Sequence, residues 1–224
     1  MGLVNFGVPE KEAEFLKKKL NLDVFVEGGT YRGGTAKSMS ESFRKVFTIE
    51  KSDSMFDIAK ENLKDIPNVE LLKGDTREHL RNILDNNDNI LFWLDAHWSG
   101  GDTYGEEDEC PLIEELEIIF DYPDKNMVIL IDDARLFLAP PPYPHKVDNW
   151  PSLTDIFQVL PMNWELLELE DVIYIFKKSI NNDFKPFMQE ITTDRWRQYG
   201  KNNQNTFVKG LKILLLGLLK GKIM

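Results

Sequence analysis

The chain has 224 residues, 42% of them hydrophobic, and a formal net charge of −11, which suits one α/β domain with additions. Its one cysteine, Cys110, excludes an intramolecular disulfide and a cysteine-based zinc site, and the opening MGLVNFGVPEKEAEF lacks the basic-then-apolar order of a secretory leader, so a cytoplasmic location is expected. No acid follows Asp194 while seven Lys and Arg do, leaving residues 1–194 at −18, and so acidic a body argues against nucleic acid as a partner.

Apolar runs and their breakers alternate along the chain. They predict helix 9–20, strand 24–27, helix 35–44, strand 46–50, helix 53–64, strand 69–73, helix 76–85, strand 90–94, helix 109–120 and strand 127–131. Five β/α units imply a doubly wound, mostly parallel sheet with ligand sites at the carboxyl ends of its strands. Pro140-Pro141-Pro142-Tyr143-Pro144 reads as a rigid surface loop. Helix 151–160 and the hairpin WELLELEDVIYIFKKS then complete an expected seven-stranded α/β fold with a C-terminal antiparallel hairpin. The expected domains are 1–180 and a helical extension, 181–224.

The first strand breaks at Glu27 into a turn with Gly28, Gly29, Gly33 and Gly34. Their spacing fits neither the dinucleotide G-x-G-x-x-G pattern nor a P-loop, because Thr35-Ala36 stands where G-K-[ST] is required. What remains is Glu27-x-Gly29-x-x-x-Gly33-x-Thr35, an acid that repels phosphate and accepts hydrogen bonds or attracts a cation. The second strand ends in Glu50, where an acid can accept from two ribose hydroxyls, and the third ends Gly74-Asp75-Thr76. Asp75 also reads as a helix N-cap, and Glu50 as an acid at a helix N-terminus.

In these motifs the chain resembles the class I S-adenosylmethionine-dependent methyltransferases, specifically the metal-dependent O-methyltransferases of the catechol and macrocin type, over residues 20–180. The resemblance implies a Rossmann-like methyltransferase fold, with Glu27, Gly28, Gly29, Thr30, Gly33 and Thr35 around the methionine end of the cofactor. It puts Glu50 on the ribose hydroxyls, and Asp75 and Thr76 near adenine.

A second constellation lies in Leu94-Asp95-Ala96-His97-Trp98 and Ile131-Asp132-Asp133-Ala134-Arg135. Three carboxylates converging at one sheet edge repel one another unless neutralised, and a hard divalent cation such as Mg²⁺ is the simplest neutraliser. Asp95, Asp132 and Asp133 are therefore the candidate metal ligands, and solvated strand ends without metal are the alternative. The resemblance implies the same set, with Mg²⁺ chelating substrate oxygens and Asp95 also beside the cofactor. His97 is the candidate base, its pKa suited to proton transfer near neutrality; a metal-ligand or supporting role is its alternative. Residues 99–109 read as a polar lid or as exposed acidic coil, and Tyr143, His145 and Trp150 as a wall for an acceptor or as plain packing.

Residues 207–223 combine a short apolar core with lysines. They read either as a helix docking on its own domain or on a second copy in a homo-oligomer, or as a basic interfacial helix in peripheral contact with the inner membrane face. The expected activity is Mg²⁺-assisted O-methylation of a small molecule, sugar or glycoconjugate. The alternatives are a metal-independent methyltransferase and a non-catalytic nucleoside-binding or membrane-adaptor protein.

Overall fold

Strands β1 (Val24–Gly28), β4 (Asn89–Leu94) and β5 (Asn126–Ile131) are mostly apolar and buried on both faces, a pattern stable only when helices cover both sides of a sheet. The computed structural model, which describes residues 7–98 and 108–220 without the side chains of 202–209 and 212–220, places these three at the centre. With β2 (Lys45–Glu50), β3 (Val69–Lys73), β6 (Trp164–Leu169) and β7 (Val172–Lys177) the sheet runs in the order β3-β2-β1-β4-β5-β7-β6. β1 to β5 are parallel, and β7 is antiparallel to both β5 and β6. This is the expected seven-stranded doubly wound sheet with its C-terminal hairpin, and its core joins Val24, Phe92, Ile129, Leu80 and Leu116.

The covering helices are α1 (Glu10–Leu20), α2 (Gly34–Ser40), α3 (Asp53–Leu63), α4 (Thr76–Asn86), α5 (Leu112–Phe120), α6 (Arg135–Leu138) and α7 (Leu153–Val159). Helix α2 stops before the expected residue 44, because the chain turns there to bury Phe43 against Phe25, ring centroids 5.4 Å apart. Helix α5 begins at Leu112 rather than 109: Pro111 takes the N-cap position, and Glu109 is drawn into the neighbouring loop instead. Glu170 and Asp171, with φ of 53° and 72°, make the two-residue turn of the β6–β7 hairpin, a backbone shape that matches strand twist.

Two compact units divide the chain, Met1–Lys178 and Ser179–Met224. The second contains α8 (Asn181–Lys220), and among the described residues no helix is long and apolar enough to cross a membrane. The expected lid residues 99–107 lie outside the described residues, as do 221–223 and most side chains of the expected amphipathic segment.

Candidate active site

From β1 the chain crosses to β2 on one side, while β4 lies on the other, so the crevice at their carboxyl ends is the topological switch point of the sheet. Register sets which side chains meet there. Glu27 pairs with Thr48 across β1–β2 and with Trp93 across β1–β4. The ladder continues past the strands, Asp95 N–H donating to Gly28 C=O at 3.0 Å and Asp132 N–H to Leu94 C=O at 3.2 Å.

Glu27 is 1% exposed. It accepts from the Thr48 hydroxyl at 2.5 Å and from Thr35, and Thr48 also bonds Thr30 at 2.6 Å. Burial pushes its pKa up to about 8 against these bonds, with Glu50 adding repulsion. Of the glycine-turn residues expected around the cofactor, Glu27, Thr30 and Thr35 therefore form one hydroxyl–carboxyl network. Thr48 was not anticipated; its signal is a polar residue between Phe47 and Ile49 in a doubly covered strand.

The glycines answer to the protein as well as to any ligand. A Cβ on Gly29, whose φ is 89°, would lie 2.3 Å from the carbonyl oxygen of Asp95, closer than atoms approach. At Gly33, φ 81°, it would strike Leu63, and at Gly28 the Thr76 hydroxyl 2.9 Å away. Gly34 faces open space.

Each Glu50 oxygen accepts a backbone N–H, from Tyr31 and from Ser52, both at 2.8 Å. This clamp fixes the carboxylate at the end of β2 and leaves lone pairs for further donors. Asp75 caps α4 through Arg77 N–H at 3.0 Å. It also binds the Arg77 guanidinium at 2.8 and 2.7 Å and Lys51 Nζ at 2.8 Å. Burial opposes its ionisation, but these cations win and hold its carboxyl well below the usual range. Thr76 is buried beneath Gly28 and bonds Glu115.

The second constellation assembles beside Glu27. Burial, then Asp132, Asp133 and Glu27, raises the Asp95 pKa well above the ordinary carboxylate value; burial takes Asp132 to about 7. His97 Nε2 stands 3.2 Å from Asp95 Oδ1 and 3.4 Å from Asp133 Oδ2. Burial lowers the His97 pKa against the pull of Asp133. Neither of its ring nitrogens has a hydrogen-bond partner among the described residues.

Asp133 adopts φ 56°, a left-handed conformation held from outside. Ala134 N–H donates to Asp171 C=O at 2.8 Å, Arg135 N–H to Asp171 Oδ1 at 2.9 Å, and the Arg135 guanidinium bridges Asp133 and Asp171. The hairpin turn thus buttresses the acidic corner, a role for Asp171 that no local motif announces.

Glu109 is likewise an anchor rather than exposed coil. Wholly buried, it accepts Lys146 N–H at 2.9 Å and Trp150 Nε1–H at 2.6 Å, with His145 Nδ1 at 3.2 Å. Burial works against its charge, but these donors outweigh it and keep its pKa below the ordinary value. His145 and Trp150 therefore pack inward, Trp150 5.3 Å from the His97 ring, while Tyr143 is 99% exposed. Of the expected acceptor wall, only Tyr143 faces solvent.

Magnesium tests this donor set. The Asp95 and Asp133 oxygens are the donor type a hard cation takes, whereas the His97 nitrogen between them suits softer metals better. Asp132, by contrast, has one oxygen on Asp133 N–H at 2.8 Å, and Arg135 holds Asp133 Oδ1 at 2.6 Å. Among the described residues no group of three or more His, Cys, Asp or Glu side chains is arranged to hold a metal ion.

No known family profile and no curated protein matches the sequence. Its fold does have solved counterparts. The SAH-bound methyltransferase of Podospora anserina superposes with a TM-score of 0.54 over 77% of this chain and 80% of its own, at 17% identity. A candidate O-methyltransferase from Klebsiella pneumoniae gives 0.55 over 78% and 83%, at 14% identity. The chain has the Rossmann-like fold of methyltransferases.

Proposed function

We propose that this chain is an S-adenosylmethionine-dependent O-methyltransferase acting on a hydroxyl of a small molecule, sugar or glycoconjugate. The observation that carries the reading is the gathering of carboxyl groups at the switch point, Glu27 at the end of β1 with Asp95 and Asp132 on the adjoining strand ends. Glu27, Asp95 and Asp132 all have raised pKa values, so the site is short of positive charge, and a ligand carrying a sulfonium and an ammonium meets that need. The methyltransferase fold agrees.

Glu27 and Thr35 then face the methionine end, Glu50 accepts from the ribose hydroxyls through its unused lone pairs, and Gly29 lets the backbone come close. Asp75 shapes the adenine end as the clamped cap of α4. When bound, S-adenosylmethionine supplies an electrophilic methyl group, whose transfer leaves a neutral thioether. His97 Nε2 receives the acceptor's hydroxyl proton, and Asp95 and Asp133 stabilise the imidazolium so formed.

Mg²⁺ assistance belongs to the proposal, with Asp95, Asp132 and Asp133 as the carboxylates that would hold it; the ion would supply Lewis acidity toward substrate oxygens. A second, metal-independent reading is favoured by Arg135, which already neutralises Asp133. Peripheral membrane contact through 207–223, self-association and the absence of a nucleic-acid partner are carried as proposals from charge and sequence pattern.

Calorimetric titration with S-adenosylmethionine, with and without Mg²⁺, tests the whole. Binding that weakens at least about tenfold in Glu50→Ala is expected, since two charge-assisted hydrogen bonds are lost. Absence of binding at millimolar ligand sinks the assignment, and affinity and turnover indifferent to Mg²⁺ select the metal-independent reading.

A further inference from the structure

A cavity of about 10 Å³ lies among the end of β4, the end of β5, α5 and α6, with His97 in its lining. It is lined by apolar groups, among them Leu94, Leu112, Ile131 and Phe137, and by two residues with buried polar atoms that lack a partner among the described residues, His97 and Glu115. That volume is about what one water needs, and a buried water stays only where it finds polar partners. His97 directs Nε2 at Asp95 and Asp133, so Nδ1 is the ring nitrogen left for the cavity. Glu115, 1% exposed on α5, has Oε1 without a partner among the described residues while its carboxyl bonds Thr76. Leaving both atoms bare would carry the full desolvation penalty of buried polar groups.

We propose that a single ordered water in this cavity joins His97 Nδ1 to Glu115 Oε1, making Glu115 a positioning residue that holds the His97 proton on Nδ1. Nδ1–H donates to the water, the water donates to Oε1, and Nε2 keeps its lone pair toward Asp95, Asp133 and the crevice. The inference rests on the role given to His97 under Proposed function, because only a ring with a bare Nε2 accepts a proton there. It also gives a role to a buried acid on α5: Glu115 links Thr76, under the glycine turn, to the proposed base.

The test is ¹⁵N NMR of the histidine rings in the ligand-free full chain, which has three histidines in all. Wild type is expected to show His97 as the Nδ1–H tautomer. Glu115→Gln, which keeps an acceptor oxygen, should retain that pattern; Glu115→Leu, which removes it, should lose it. A high-resolution crystal structure should show the water in wild type and not in Glu115→Leu. An Nε2–H tautomer in wild type, or a pattern unchanged in Glu115→Leu, overturns the proposal. If the Leu variant does not fold, the wild-type tautomer and the crystallographic water still decide it. The NMR readout needs no cofactor, so it can fail while S-adenosylmethionine binding stands, and the reverse.

Discussion

Glu27 carries the clearest consequence of burial. Its ordinary pKa of 4.5 rises to about 8 in the fold, so between those values the native state holds a proton that the unfolded chain has released. Stability of the ligand-free protein should therefore fall as pH rises through that window, by on the order of a few kcal/mol at its upper end. Asp132, raised to about 7, adds to the same slope. Urea denaturation at pH 5, 6.5 and 8 should show it, and Glu27→Gln should flatten it; an equally steep slope in the variant would place its origin elsewhere. Cation binding reverses the balance, so S-adenosylmethionine should bind more tightly at pH 8 than at pH 6, with proton release that varies with buffer in calorimetry. The acids behind this behaviour are legible in the sequence because each ends an apolar run: Glu27, Glu50, Asp95 and Asp132 follow from the strand pattern. Thr48, Glu115 and Asp171 are not, since each acts through a partner 21 to 39 positions away, Glu27, Thr76 or Arg135, that only the sheet's register or the loops' packing brings near.

At the scale of elements, two turns position the site. The first joins β1 to α2, and its glycines differ in purpose. Gly29→Ala must place a methyl 2.3 Å from the Asp95 carbonyl at φ 89°, so a loss of at least about 2 kcal/mol is expected from the backbone conformation and overlap together. Gly34→Ala, facing open space at the start of α2, should be neutral or stabilise by up to about 1 kcal/mol. Chemical denaturation of the pair separates a structural glycine from a tolerant one, and similar losses at both would contradict the packing described. The second is the proline loop anchored by Glu109. Glu109→Ala strips the acceptor from Lys146 N–H and Trp150 Nε1–H and should cost about 2–5 kcal/mol, with Glu109→Gln in between. Exchange protection of amides 145–150 should fall in the same order. Strand positions were predictable to within a residue because apolar runs this strong leave little choice. Helix ends were less so: α5 was expected to start at Glu109, whose buried bonds to a loop 36 to 41 residues later have no local signature.

Across the whole molecule, charge is divided between an acidic stretch of −18 and a final segment of +7. If that segment meets anionic lipid, the full chain should float with phosphatidylserine-containing vesicles at low salt and release as salt rises, whereas a chain ending at Asn205 should stay in the pellet fraction. Equal flotation of the two removes membrane contact from the proposal. The sheet carries another consequence in its strand order. β7 is inserted between β5 and β6, so β5 has an open edge until residues 172–177 have been synthesised. A nascent chain emerging from the ribosome thus presents the run Met127–Ile131 as an unpaired apolar edge through some forty further residues, a template for association with other chains. Fragments that stop before Lys177 should aggregate, and their solubility should return when the hairpin is supplied in full.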